Sequence, residues 1–318
     1  MFGVKRITGA SDLAAEGEPG SWVSDAAREK FLAAYERALA ALWPQPVEEL
    51  DIETATATTR VHAYRPHPGG EPVVLLSAFN AIGLYPHVAA LAGDGPVYGI
   101  DMPGDANPSV ARAPMTPPEN CAAWLDELLA QLSDRAVHLV GFSYGGWIAM
   151  NQAIRAPRRV ASITLLDPAG LTKLDARFWW WLSVSGLATL TPMPIRRHLA
   201  RWLDLPAMLH QEMMTLMWAG TRGYHAEPKF PAILTDDELR AIGVPALLVT
   251  GARSALLTPA QARDRGSLMP HAEVAVVPGS HGGFSRIDEL NDRIAAFIKC
   301  HAAGNQAARP ASPPAANR

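Results

Sequence analysis

The sequence predicts an α/β architecture: a mostly parallel, eight-stranded sheet flanked by helices, with a helical block inserted after the sixth strand. Three observations carry that expectation. Short apolar runs alternate with helical patterns from Glu48 onward, as repeated strand-helix-strand units require. The alternation breaks once, between Leu171 and about Leu239, where no strand signal is visible and Trp and Met concentrate. One apolar run passes directly into a glycine-flanked serine and then into a helix pattern.

Along the chain, Ser24 to Trp43 reads as an amphipathic helix capped by Ser24, with Phe31, Tyr35, Leu39, Leu42 and Trp43 on one face. It is expected to be a packing element within an N-terminal extension, residues 1–47. Strands are expected at Glu48 to Ala55, Arg60 to Tyr64, Val73 to Ala78, Val97 to Asp101, Val137 to Phe142, Ala161 to Leu166, Ala246 to Thr250 and Glu273 to Val277. Helices are expected near His87 to Ala92, Pro118 to Leu132, Gly145 to Arg155, Pro259 to Leu268 and Ile287 to Lys299. The core thus spans residues 48–170 and 240–300, with the helical block at 171–239. Residues 301–318 are rich in Ala and Pro without periodicity, and are expected to be disordered.

Composition narrows the function classes. A chain of 318 residues, 48% apolar and 19% charged, can bury a large core without staples. A formal net charge of −3 gives no long-range pull toward nucleic acid or an anionic membrane. The two cysteines, Cys121 and Cys300, lack the spacing of a disulfide framework or a zinc site, and a reducing, cytoplasmic setting is the expectation. The first twenty residues lack the apolar stretch of a secretory signal. The apolar run Phe178 to Ile195 contains Gly186, Pro192 and Pro194, so it reads as buried or pocket-lining rather than membrane-spanning.

The chemistry is carried by Gly141-Phe142-Ser143-Tyr144-Gly145, a GxSxG string between the run VHLVGF and the helix pattern GGWIAMNQAIRAP. A sharp strand-to-helix turn lifts a serine above the sheet, and small flanking residues avoid clashes where the chain doubles back. Ser143 is therefore a candidate nucleophile, which needs a base. His281, in AEVAVVPGSHGGF, follows the last expected strand in a glycine-bounded loop at the same end of the sheet. His198, His210 and His225 fall in the helical block, where a solvated or core role is the plainer reading.

Through the turn at Ser143, the loop histidine His281 and IDMPGD at Ile100 to Asp105, the chain resembles the α/β-hydrolase superfamily over about Glu48 to Cys300. The segment VGFSYGGWIAMNQAIRAPRRVASITLLDPAGL resembles hydrolases of the actinobacterial carboxylesterase type. The resemblance implies a third triad member, an acid, after the seventh strand. Ser254 stands there instead, in GARSALLTP. Asp167, ending the sixth strand in SITLLDPAG, is the best replacement, since some members of the superfamily, lipases of the pancreatic type among them, draw their acid from that strand end. LLDPAG is also a natural strand-to-loop junction, and Asp236, Asp237 and Asp264 remain open. The family's His-Gly after the third strand is replaced by Ser77-Ala78, followed by Phe79 and Asn80. Backbone N–H groups of Tyr144 and Phe79 are the expected oxyanion pair, with Asn80 as an added donor.

By the same resemblance, the block at 171–239 implies a helical cap over the nucleophile. Trp179, Met214, Met217 and Trp218 are its expected substrate contacts, within a set of Trp and Met suited to an apolar pocket. Leu209, Met213, Leu216 and Met217 share one helical face, with Met214 and Trp218 beside it. The expected activity is hydrolysis of a carboxylic ester, thioester or lactone of an apolar or aromatic small molecule, with no cofactor and no metal. The alternatives are an acyltransferase or cyclase using the same acyl-enzyme, or a non-hydrolytic isomerase, lyase or binding protein on the same fold.

Overall fold

The computed structural model describes residues 20–302, apart from 68, 94, 116 and 227–230. In chain order the elements are β1 (Ser21–Trp22), α1 (Asp25–Leu42), β2 (Glu48–Glu53), β3 (Ala57–Tyr64), β4 (Val73–Leu76), α2 (Tyr85–Leu91), β5 (Val97–Ile100), β6 (Val110–Ala111), α3 (Pro118–Leu132), β7 (Val137–Phe142), α4 (Tyr144–Arg155) and β8 (Val160–Leu166). Then follow α5 (Ala176–Thr189), α6 (Met193–Leu203), α7 (Gln211–Gly223), β9 (Tyr224–His225), α8 (Asp236–Arg240), β10 (Ala246–Gly251), α9 (Pro259–Gly266), β11 (Ala272–Val277), β12 (Gly279–Ser280), β13 (Gly283–Phe284) and α10 (Ile287–His301).

The eight expected strands are all present and lie side by side in the order β11-β10-β8-β7-β4-β5-β3-β2. From β5 to β11 every neighbouring pair is parallel, whereas β2 and β3 run antiparallel at one edge. Helices cover both faces, so strands such as Val73-Val74-Leu75-Leu76 are apolar without alternation. Val74 and Leu76 pack with Trp124 and Leu128 of α3 and Trp147 and Ile148 of α4. Val73 and Leu75 face the other way, toward Phe31 and Tyr35 of α1, Val88 of α2 and Ile294 and Phe297 of α10. Each such fully buried aliphatic side chain stabilises the fold by about 1.5–3 kcal/mol.

Local chemistry sets the helix ends. The Ser24 hydroxyl accepts from Ala27 N–H at 3.1 Å, as its capping position predicts. Thr235 with Glu238 and Thr258 with Gln261 form reciprocal capping boxes that start α8 and α9.

Two expectations need correction. The helical block does contain a strand, β9, which pairs with β1: Ser21 faces His225 and Trp22 faces Tyr224. Gly220 and Gly223 of α7 lie close to Phe31 and Ala27 of α1, so the N-terminal segment is packed against the helical block. The run Phe178 to Ile195 is not wholly buried: Trp180, Leu187, Leu190 and Ile195 are all more than half exposed. Helix α5 is apolar on both faces, and one chain covers only the inner one. Among the described residues no helix is long and apolar enough to cross a membrane. The Ala/Pro-rich stretch beyond Ala302 lies outside the described residues.

Candidate active site

Strand register brings the site together. Phe142 of β7 pairs with Leu166 of β8, and Leu166 pairs with Val249 of β10. The next residues, Ser143, Asp167 and Thr250, therefore stand in one row at the carboxyl edge of the sheet. Ser143 N–H donates to Leu166 O at 3.0 Å, and Asp167 N–H to Val249 O at 2.7 Å.

Ser143 has φ of 52°, in the left-handed region that a side chain enters only under constraint. The constraint is the turn into α4: Ser143 O accepts from Gly146 N–H and Ala169 N–H, both at 3.0 Å. Gly145 is required here, because a Cβ on it would sit 1.9 Å from Leu76 O. This is the strand-turn-helix context expected of an exposed nucleophilic serine.

His281 lies in the loop between β12 and β13 and is 5% exposed. Its Nε2 is 3.3 Å from Ser143 Oγ, and its Nδ1 is 2.8 Å from Asp167 Oδ2. A carboxylate only accepts, so Nδ1 carries the proton and Nε2 is left to take one from the serine. Asp167 is fully buried, with φ of 46°. A buried carboxylate needs partners. It has three: His281, the Ser254 hydroxyl at 2.6 Å from Oδ2, and the Thr250 hydroxyl at 3.1 Å from Oδ1. Asp236, Asp237 and Asp264 are absent from this network; Asp236 and Asp237 pair with surface arginines.

The loop after β4 is tied on several sides. Asn107 Nδ2 donates to Phe79 O at 2.9 Å, Ser77 Oγ donates to Asn80 O, and Asp101 Oδ1 accepts from Ala81 N–H at 2.8 Å. Tyr144 opens α4, whose N-terminal end favours negative charge beside Ser143. Phe79 N–H is engaged within its own loop by Ser77 Oγ, at a long 3.3 Å. As an oxyanion donor it would exchange that weak bond for a stronger one. The Asn80 carboxamide makes no capping hydrogen bond to the turn at Ala81–Leu84 that it precedes.

Aromatic rings enclose the imidazole. Phe142 stacks on it at 5.3 Å between centroids, while Trp181 at 5.2 Å and Phe178 at 5.8 Å meet it edge-on. Trp181 rather than Trp179 is thus the tryptophan of the helical block brought against His281. Trp179 is 47% exposed and lines a surface cleft of about 260 Å³ with Gly170, Leu174 and Ile233. Met214 is buried inside the helical block with Ala188, Ala200, Leu203 and Met208. Met217 is largely exposed, and Trp218 lies beneath the Arg222 guanidinium. The expected face is met in part: Leu216 is buried and Met213 partly so, whereas Met217 of α7 and Leu209, which lies before that helix, are exposed, and Met214 is buried instead. The i, i+3 spacing of Phe178 and Trp181 was the signal for their shared inward face. The roles of Thr250 and Asn107 had no signal, since polar residues at strand ends and in loops are common.

Residues 73–296 match the model of the alpha/beta hydrolase family. Carboxylesterase YbfK of Bacillus subtilis is 28% identical over 282 residues, covering 85% of this chain and 93% of its own. The uncharacterized carboxylesterase Nap of the same organism is 29% identical over 270 residues, covering 81% and 88%. The crystal structure of naproxen esterase from Bacillus subtilis superposes with a TM-score of 0.74 at 25% identity, covering 86% of this chain and 99% of that one.

Proposed function

Since the chain belongs to the alpha/beta hydrolase family, we propose that this carboxylic ester hydrolase cleaves apolar or aromatic acyl substrates, whether oxygen ester, thioester or lactone, through an acyl-enzyme on Ser143. What supports the reading is the hydrogen-bonded chain from Ser143 Oγ through His281 to Asp167.

In this mechanism Ser143 Oγ attacks the carbonyl carbon while His281 Nε2 takes its proton. The imidazolium is stabilised by Asp167 across the 2.8 Å contact at Nδ1. Charge developing on the carbonyl oxygen is met by Tyr144 N–H and Phe79 N–H, preset dipoles that need little reorganisation. On collapse the alcohol or thiol departs with the proton from His281, leaving the acyl group on Ser143. Water then attacks, giving a proton to His281, which passes it to Ser143 Oγ as the acyl–Oγ bond breaks and the carboxylic acid is released. Phe178 and Trp181 form the apolar wall beside the histidine, and the cap selects the acyl group.

The test is hydrolysis of p-nitrophenyl esters of graded acyl length, with Ser143→Ala as control. Activity that is lost in the control is expected, with an optimum that sizes the pocket. Equal inertness of both proteins, together with no labelling of Ser143 by a fluorophosphonate, would overturn the proposal.

A further inference from the structure

The outer surface of α5 and α6 gathers apolar side chains that the chain itself leaves uncovered. Of the six large apolar residues more than half exposed among the described residues, one is Phe79 and the other five are Trp180, Leu187, Leu190, Ile195 and Trp202. All five lie on α5, on α6 or in the short link between them. On α5 the inner face holds Phe178 and Trp181 against His281, while Trp180 and Leu187, seven residues apart, share the opposite face. On α6, Ile195 and Trp202 are also seven residues apart, and Ala200 and Leu203 are buried behind them. Trp180 and Trp202 meet edge-on at 5.9 Å between centroids, which joins the two stripes into one patch. Scattered exposed apolar residues need no explanation, but a contiguous patch marks a surface that something covers.

Charge says what covers it. Residues 176–203 carry four arginines, Arg177, Arg196, Arg197 and Arg201, and no aspartate or glutamate, in a chain of formal net charge −3. The acids at the two ends are engaged: Asp175 Oδ1 accepts from Phe178 N–H at 3.1 Å, and Asp204 pairs with Arg253. Arg197 and Arg201, four residues apart on α6, are exposed and have no acidic partner among the described residues.

We propose that this face docks on an anionic lipid bilayer, with α5 and α6 lying in the headgroup plane, Trp180 and Trp202 inserted, and Arg197 and Arg201 on lipid phosphates. Helices that rest in a membrane interface combine tryptophan and leucine with arginine in this way. A second copy of this chain fits worse, because like faces brought together set arginine against arginine with no acid on the face to answer it. The net charge of −3 does not oppose docking: charges further than about 10 Å from the headgroups are screened at 0.1 M salt, whereas these arginines touch them. Docking needs no spanning segment, and among the described residues no helix can supply one. Since the inner face of α5 reaches His281, docking sets the proposed acyl site beside the apolar compounds that a bilayer dissolves; that link rests on the proposed function, and the docking does not.

The experiment floats the full chain with vesicles of phosphatidylcholine, alone or mixed equally with phosphatidylglycerol, and reads no activity. Wild type is expected to bind the anionic vesicles about tenfold or more tighter than the neutral ones, and to be released as salt rises from about 0.1 M to about 1 M. Arg197→Gln/Arg201→Gln should weaken anionic binding about thirtyfold, roughly fivefold for each charge, and Trp180→Gln/Trp202→Gln about tenfold or more. Circular dichroism checks that each variant is folded, and hydrolysis of a soluble p-nitrophenyl ester is expected to stay within about twofold of wild type, since none of the four residues touches the site. Wild type that stays in solution, or that binds both kinds of vesicle alike, overturns the proposal, and this result with the salt series decides the matter if a variant does not fold. Anionic binding unchanged in both folded variants overturns it too. So does a dimer in analytical ultracentrifugation that the tryptophan variant abolishes while vesicles capture nothing, which gives the face to a second copy. Flotation by a wild type that hydrolyses no ester would count against the catalytic reading alone.

Discussion

Two residues hold the site's strain, Ser143 and Asp167, the proposed nucleophile and acid, each at positive φ. Both follow the last residue of adjacent parallel strands, and hydrogen bonds from neighbouring backbone hold each in place. Because asparagine tolerates this backbone region better than most residues, Asp167→Asn should leave the fold intact while removing the charge that stabilises the imidazolium. A fall in kcat of about 10³ to 10⁴-fold is expected from steady-state kinetics. A rate within tenfold of wild type would show that another group orients His281. Asp167 was readable as a candidate from its strand-end place. Its two hydroxyl partners were not, because Thr250 and Ser254 come from β10 and the loop after it, more than eighty residues away in sequence.

At the scale of elements, α1 does more than pack. Its Tyr35 hydroxyl lies 2.9 and 2.7 Å from the two carboxylate oxygens of fully buried Asp101, and Asp101 also holds Ala81 N–H, two residues beyond Phe79. Burial, with Asp101 beside it, pushes the Tyr35 phenol well above its ordinary pKa, so it is a neutral donor. Tyr35→Phe should leave a buried carboxylate short of one donor and lower stability by about 1–3 kcal/mol. Urea unfolding checks this: a lower midpoint at unchanged slope is expected, whereas an unchanged midpoint would deny the contact any part in stability. The helix itself was legible from periodicity and its Ser24 cap. Its link to the loop after β4 depends on a tertiary contact spanning 66 residues.

For the molecule as a whole, buried histidines tie stability to pH. His87 donates from Nδ1 to Asn291 Oδ1 at 2.6 Å, joining α2 to α10; Asn291 is oriented by its own bond to Pro86 O. Burial lowers the His87 pKa below its ordinary 6.5, outweighing the Asn291 contact, and burial likewise lowers that of His138 against the opposing pull of Glu71. The unfolded chain binds protons that the folded one refuses, so their contribution is full above about pH 6.5 and is lost as pH falls below it. Unfolding free energy measured in urea should therefore be lower at pH 5.5 than at pH 8, and His87→Gln should flatten the difference. Equal slopes in wild type and variant would remove His87 from the account.

The sequence by itself determined the order of the eight main strands and of the helices between them, the turn at Ser143 and the loop at His281. These depend on hydrophobic period, capping residues and glycine placement, all set by near neighbours in the chain. Only the tertiary structure decided that Asp167 rather than Asp236, Asp237 or Asp264 meets His281, that Trp181 rather than Trp179 lies against it, and that α1 reaches the loop after β4. Those outcomes follow from strand register and helix rotation, which place side chains within a few ångströms across tens of residues of sequence, and local pattern offers candidates for them without choosing among them.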